Sequence, residues 1–348
     1  MGITDKSGTK TYGMLAVSVI GLAAAVALML LSFLAPQFHS GPEDLPLGVA
    51  GAPSAVDRLA SALDQRRPGA FDVTVYGSAD DVQEAIRDRE VIGGIAVAAD
   101  GAAVYTASGA GSPYGEVLTG VAAGLEDRGS TVTVEDVAPT ADHDPSATGL
   151  SVLALPLAFG GMISAAVLSF TLKKRHGLRV FGSLAFSLIA GFVIGAILRF
   201  GFGTFDADYW AMSGVLALGI AATSEFVLGL ESLIGYAGLA FGGVLTLFVS
   251  NPLSGIATGW QWLPAPWGEI GQLLPIGAAG NAARSVGFFD GASVAHSVWT
   301  LVGWIVVGLG LSGLSVLKNR GDHAPGVDAG YSSVPELERR EHTAISVV

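Results

Sequence analysis

Few side chains in this sequence combine the type and placing that chemistry requires. Glu225 stands alone inside an otherwise uncharged run, Tyr209 to Leu230, and Glu231 follows just beyond it. An ionisable group at membrane depth is costly. Glu225 is therefore either a proton or substrate site, or the partner of a cation on another helix, unless both carboxylates sit near an interface and reach water. Six residues apart, the two point to different faces of a helix with about 3.6 residues per turn. Arg199 closes another apolar run near Asp206 and Asp208, the usual setting of a snorkelling arginine. Pro156 removes an intrahelical donor and should kink its helix. Glu225, Glu231, Arg199 and Pro156 are thus the candidate transport or gating residues.

Other chemistries lack their residues. The chain has no cysteine, which excludes a disulfide framework, cysteine-ligated zinc, iron–sulfur clusters and thiol catalysis. Neither a Gly-x-x-x-x-Gly-Lys-Ser/Thr loop nor Gly-x-Ser-x-Gly nor His-Glu-x-x-His occurs, so the chain is no ATPase by itself and no recognisable hydrolase. Its six histidines (His39, His143, His176, His296, His323, His342) show no ligand spacing. No catalytic, cofactor-binding or metal-binding residue is assigned, and the chain is expected not to be an enzyme.

The elements that must hold these residues are membrane helices. Of 348 residues 51% are hydrophobic and 14% charged, with a mean hydropathy of +0.56; soluble domains carry roughly a quarter charged residues. A bilayer core needs about 20 apolar residues in a helix. Runs meeting that need are Met14–Ala35, Gly149–Leu172, Val180–Leu198, Tyr209–Leu230, Ser232–Gly255 and His296–Leu317. Six crossings are expected, the first retained rather than cleaved, because it is too long for a signal-peptide core. Lys6, Lys10, Lys173, Lys174, Arg175, Arg179, Lys318 and Arg320 then share one side. By the positive-inside rule that side is the cytoplasm and holds both termini.

The expected organisation is a cytoplasmic segment 1–12, a first helix 13–35, an extracellular α/β domain 36–148, a five-helix membrane domain 149–317 and a disordered cytoplasmic tail 318–348. Residues 36–148 hold 18 acids and 6 bases, the whole of the formal net charge of −12. Basic patches suited to nucleic acid are missing. Within the domain, strands are expected at Leu45–Ala50, Phe71–Tyr76, Val91–Ala98, Ala103–Ala107 and Thr131–Val137, with helices at Pro53–Arg66, from an N-cap at Ser78 through Arg89, and at about Pro113–Asp127. The β-α-β-α-β-β-α-β order predicts a mixed sheet with packed helices. It resembles a thioredoxin-like arrangement, and without cysteine a redox role fails. Either the acidic surface only keeps the domain soluble, or the domain gates or docks a partner.

Two further patterns stand out. Ser187, Gly191 and Gly195, and Gly238 with Gly242, form small-residue stripes that allow close helix contact, within one subunit or across a dimer. Residues 256–295 contain Trp260, Trp262 and Trp267 and the helix-breaking Pro264, Pro266 and Pro275. This predicts a re-entrant element of one or two short helices, non-helical backbone being tolerated where protein or a water-filled cavity surrounds it. Trp267, Glu269, Pro275, Arg284 and Asp290 are its candidate residues.

Leu155-Pro-Leu-Ala-Phe-Gly-Gly161, Trp267-Gly-Glu-Ile-Gly-Gln-Leu-Leu-Pro-Ile-Gly277, Phe288-Phe-Asp-Gly291 and Val91-Ile-Gly-Gly-Ile-Ala-Val97 give residues 10–320 a resemblance to ABC-2-type permeases. Within these, the chain resembles the Pip-like group related to phage-infection proteins and common in actinobacteria. The resemblance implies a bacterial plasma-membrane exporter of a hydrophobic or amphipathic compound, such as a drug, lipid or peptide. It also implies pairing as a homo- or heterodimer and a separate ATP-binding subunit docking on Lys173, Lys174, Arg175 and Arg179. That loop is about seven residues long with no helix of its own, a departure from the family pattern. Two other readings stand beside it: a non-transport envelope receptor or scaffold, and a proton-coupled carrier using Glu225.

Overall fold

The computed structural model describes residues 6–173 and 175–321. Among the described residues, five helices are long and apolar enough to cross a membrane, and a five-stranded mixed sheet lies between the first and second. These apolar helices mark a multi-pass membrane protein. The first, α1 (Lys6–Phe38), starts earlier than the expected boundary at 13. From Thr11 to Phe38 nearly every residue is exposed.

The sheet domain follows the expected order: β1 (Leu45–Gly51), α2 (Pro53–Arg66), β2 (Phe71–Tyr76), α3 (Ala79–Arg87), β3 (Gly93–Val97), β4 (Ala102–Thr106), α4 (Ser112–Glu126) and β5 (Val132–Asp136). The strands lie in the order β2-β1-β3-β4-β5, with β3 and β4 antiparallel and the other neighbours parallel. Ser78 caps α3 by accepting from the Asp81 amide at 3.1 Å. The helix stops at Arg87, short of the expected Arg89, because Arg89 turns back at φ +63°. One face of the sheet packs Leu47, Val49 and Ile95 against Leu59 and Leu118 of α2 and α4; the other packs Val82 and Ile86 of α3.

Beyond the sheet come α5 (Thr148–Ser151) and α6 (Ala154–Thr171), then α7 (His176–Ala196), continued by a π turn at Ile197–Gly201, and α8 (Tyr209–Ile234). The break between α5 and α6 lies one turn before Pro156, which cannot donate to the Val152 carbonyl. The expected span Ser232–Gly255 is corrected. Its first residues finish α8, Gly235 ends that helix at φ +68°, and α9 (Tyr236–Leu245) with a π turn to Ser250 makes a helix of only 15 residues. At 1.5 Å per residue that is about 22 Å, short of the roughly 30 Å hydrocarbon core. Pro252 prevents its continuation. Two short helices, α10 (Trp267–Gln272) and α11 (Pro275–Phe288), precede α12 (Val294–Gly321), which overruns the expected end at 317. The expected tail beyond Gly321, and residues 1–5, lie outside the described residues.

α8 is the axis of the bundle. The stripe on α7 meets it within the same chain: a Cβ on Gly191 would press on Ala217, and one on Gly195 on Ser213. Gly238 and Gly242 bring α9 against Leu230 and Val227, while Gly308 of α12 lies on the Glu225 carbonyl. Gly308→Leu should therefore lower stability by at least ~1–3 kcal/mol through overpacking. Gly303→Leu, with nothing near its Cβ position, should change it by less than ~0.5 kcal/mol. Thermal melts of the detergent-solubilised chain check both.

Candidate functional site

Three features of the helical bundle bear on function. The first is an open pocket of about 570 Å³ at the end nearest the sheet domain, between α5–α6 and the end of α7, with Val152, Ile197 and Phe202 exposed along it. Its walls include Val152, Pro156, Ile194, Ile197 and Phe202, with His143 among the polar residues around it. Asp144 holds the start of α5 beside the cavity, accepting from the Thr148 and Gly149 amides at 2.7 and 2.8 Å. Pro156, a candidate gating residue, thus stands in the wall. An apolar cavity edged by a few polar groups suits an amphipathic molecule.

The second is a polar seam along α8. Ser164 of α6, Ser224 of α8 and Ser183 of α7 form a hydroxyl row with 2.8 and 2.5 Å steps. Beside Ser224, Glu225 is fully buried; the Ser183 hydroxyl interacts with its carboxylate, although no hydrogen bond of good geometry reaches either oxygen among the described residues. Glu225 therefore does not reach water directly, as the interfacial reading would have it. Glu231, one and a half turns on, is ion-paired with Arg179 at 2.5 Å, both side chains buried. Arg179 also donates to the Leu172 and Ser169 carbonyls, tying the α6–α7 turn to α8. Its guanidinium is thus engaged inside the bundle, while Lys173 and Arg175 are exposed; Lys174 lies outside the described residues.

The third is the junction of sheet and helices. Arg284 of α11, 4% exposed, donates to the carbonyls of Gly109 and Ile256 at 2.7 and 2.8 Å. Arg89 donates to Asn281 Oδ1 at 2.6 Å, to the Asn281 carbonyl and to Ser285. The Tyr114 phenol, held above its usual range by burial, stays protonated and donates to Gln261 Oε1 at 3.0 Å. Phe289 belongs to one core of the sheet domain, and Trp262 packs on the other.

The remaining candidates are scattered. Arg199 sits in the π turn and donates to the Asp206 carbonyl at 3.2 Å. Trp267, Glu269 and Asp290 are exposed, and Pro275 is buried at the start of α11. Arg284 alone among the re-entrant candidates joins the sheet domain to the helices. Arg89, Asn281 and the serine row carry no sequence signal of their own, since each meets its partners only through distant chain. A cluster of potential metal ligands is not found among the described residues. Comparison with family models finds no match, and comparisons with curated proteins and solved structures find none either.

Breaking a buried ion pair by removing one partner typically costs ~3–5 kcal/mol, whereas an apolar pair of similar volume is often neutral. Glu231→Gln should therefore be strongly destabilising, and Arg179→Met with Glu231→Leu should recover much of that loss. A double-mutant cycle in denaturant or heat checks the coupling.

Proposed function

We propose that this chain is the membrane-spanning permease subunit of an exporter for a hydrophobic or amphipathic compound. In this reading it crosses the bilayer six times, with both termini cytoplasmic and the sheet domain outside. A separate ATP-binding subunit of the ABC-2 kind supplies energy, since the chain has no phosphate-cradling loop of its own. The open pocket of about 570 Å³ between α6 and α7 carries the proposal, because its apolar walls and polar neighbours match such a cargo.

Sidedness is consistent with this. α9 begins beside Glu231, and the segment after it reaches Tyr114 of the sheet domain through Gly259, so a short helix and its loop make the fifth crossing together. Lys173 and Arg175 remain exposed at the opposite end for a partner subunit. The buried Glu225, without a counter-ion among the described residues, favours one second reading, a carrier in which this carboxyl takes up and releases the coupling proton.

Val152→Trp should fill part of the cavity and reduce efflux of lipophilic fluorescent cations and amphipathic dyes severalfold, leaving the melting temperature within a few degrees. Efflux from cells carrying the wild-type or variant chain measures this, with ATP depletion and proton-gradient collapse as separate arms. Loss on ATP depletion with normal activity in Glu225→Gln supports the ABC reading. Loss on gradient collapse and in Glu225→Gln supports the carrier, and unchanged efflux of every compound without the chain defeats both.

A further inference from the structure

Arg89 and Arg284 line one cavity at the junction of the sheet domain and the membrane helices. They arrive there from opposite parts of the molecule. Arg89 leaves the end of α3 in a left-handed backbone conformation, and Arg284 stands on the third turn of α11. Every acceptor these guanidinium groups reach is neutral: the carbonyls of Gly109, Ile256 and Asn281, the Asn281 side-chain oxygen and the Ser285 hydroxyl. Among the described residues neither arginine is ion-paired; the single ion pair there is Arg179 with Glu231.

The other polar side chains around the cavity, Tyr114, Gln261, Gln272 and Asn281 among them, carry no negative charge. Burial pulls the Arg89 pKa down to about 10, and the charge of Arg284 adds to the pull. Guanidinium groups nonetheless remain protonated at neutral pH. Two like charges therefore line one cavity, Arg284 buried and Arg89 partly buried with its guanidinium 5.1 Å from the centre of the Phe289 ring, each with N–H donors to spare. Uncompensated buried charge is expensive. The cavity measures about 20 Å³, on the scale of roughly one water-sized guest. That volume suits one small ion rather than a phosphate, a carboxylate-bearing substrate or a lipid headgroup.

We propose that this cavity binds a single monatomic halide anion, chloride under ordinary conditions, which Arg89 and Arg284 hold jointly and which fastens the sheet domain to the membrane helices. The anion supplies the negative charge that the chain omits. Its site exists only while both parts of the protein are docked, so its binding energy stabilises that docking.

The test is a set of thermal melts of the full chain in detergent, in sodium chloride, bromide or gluconate at one ionic strength. Chloride and bromide should raise the melting temperature by several degrees over gluconate, with saturation. In Arg89→Gln the halide effect should largely vanish, and melting in gluconate should fall only by what its bonds to Asn281 and Ser285 contribute. A merely structural arginine would instead lower the melting temperature equally in all three salts. Equal melting of the wild type in all three, or an undiminished halide effect in Arg89→Gln, overturns the proposal. Should that variant fail to fold, anomalous X-ray scattering from bromide in wild-type crystals decides: a peak between Arg89 and Arg284 supports the site, and its absence there overturns it.

Discussion

Backbone polar groups freed by a broken helix must find partners before a chain can leave helical form inside a bilayer. Residues 251–275, largely irregular between α9 and α11, have many such groups to satisfy. Arg284 takes the Ile256 carbonyl, Gln272 takes the Ser254 carbonyl at 3.1 Å, and Trp304 of α12 takes the Leu273 carbonyl at 2.7 Å. In the other direction, the Ser250 hydroxyl receives the Ile276 amide at 3.1 Å. The irregular segment is thus bonded from α11 and α12, and its two flanks are joined to each other across it. Its own compactness relies on glycine: any side chain on Gly271 would collide with the Leu253 carbonyl.

The same segment makes the sheet domain part of the membrane structure. Arg284 reaches both the irregular segment and Gly109, so one side chain serves two domains. The Gly41 amide donates to the Trp262 carbonyl at 3.1 Å, and the Ser293 hydroxyl donates to the Asp88 carbonyl at 3.0 Å. With Phe289 inside one core of the sheet domain, the two parts share buried surface. A domain seated in this way moves with the helices beneath it and differs physically from one hung on flexible linkers.

Within the bundle, close glycine contacts around α8 and a polar seam have the same origin. Small residues on α7, α9 and α12 let backbones approach, and the space left at each contact is narrow. Serines fit there and bond across helices, as Ser164, Ser224 and Ser183 do. Glu225 is the exception, a buried carboxyl without a counter-ion among the described residues, beside bonded serines. Such a group opposes stability.

Local sequence accounts for the apolar helices and nearly every element of the sheet domain. Helix α2 and strand β2 match their expected bounds, because period-3.6 and alternating patterns report burial of one face. It also marks the irregular segment through Pro264, Pro266 and Pro275. It misjudges Ser232–Gly255, where hydropathy is continuous and only the backbone conformation at Gly235 divides α8 from α9. Composition cannot distinguish an uncharged run that continues from one that turns. The partners of charged groups lie further out of reach. Arg179 finds Glu231 across 52 residues, and Arg89 finds Asn281 across 192. Pairings at such separations depend on how helices pack, which no local pattern encodes. The sequence by itself therefore settles a membrane protein with an inserted α/β domain, while tertiary packing decides which charges are paired, which are left alone and where a cavity opens.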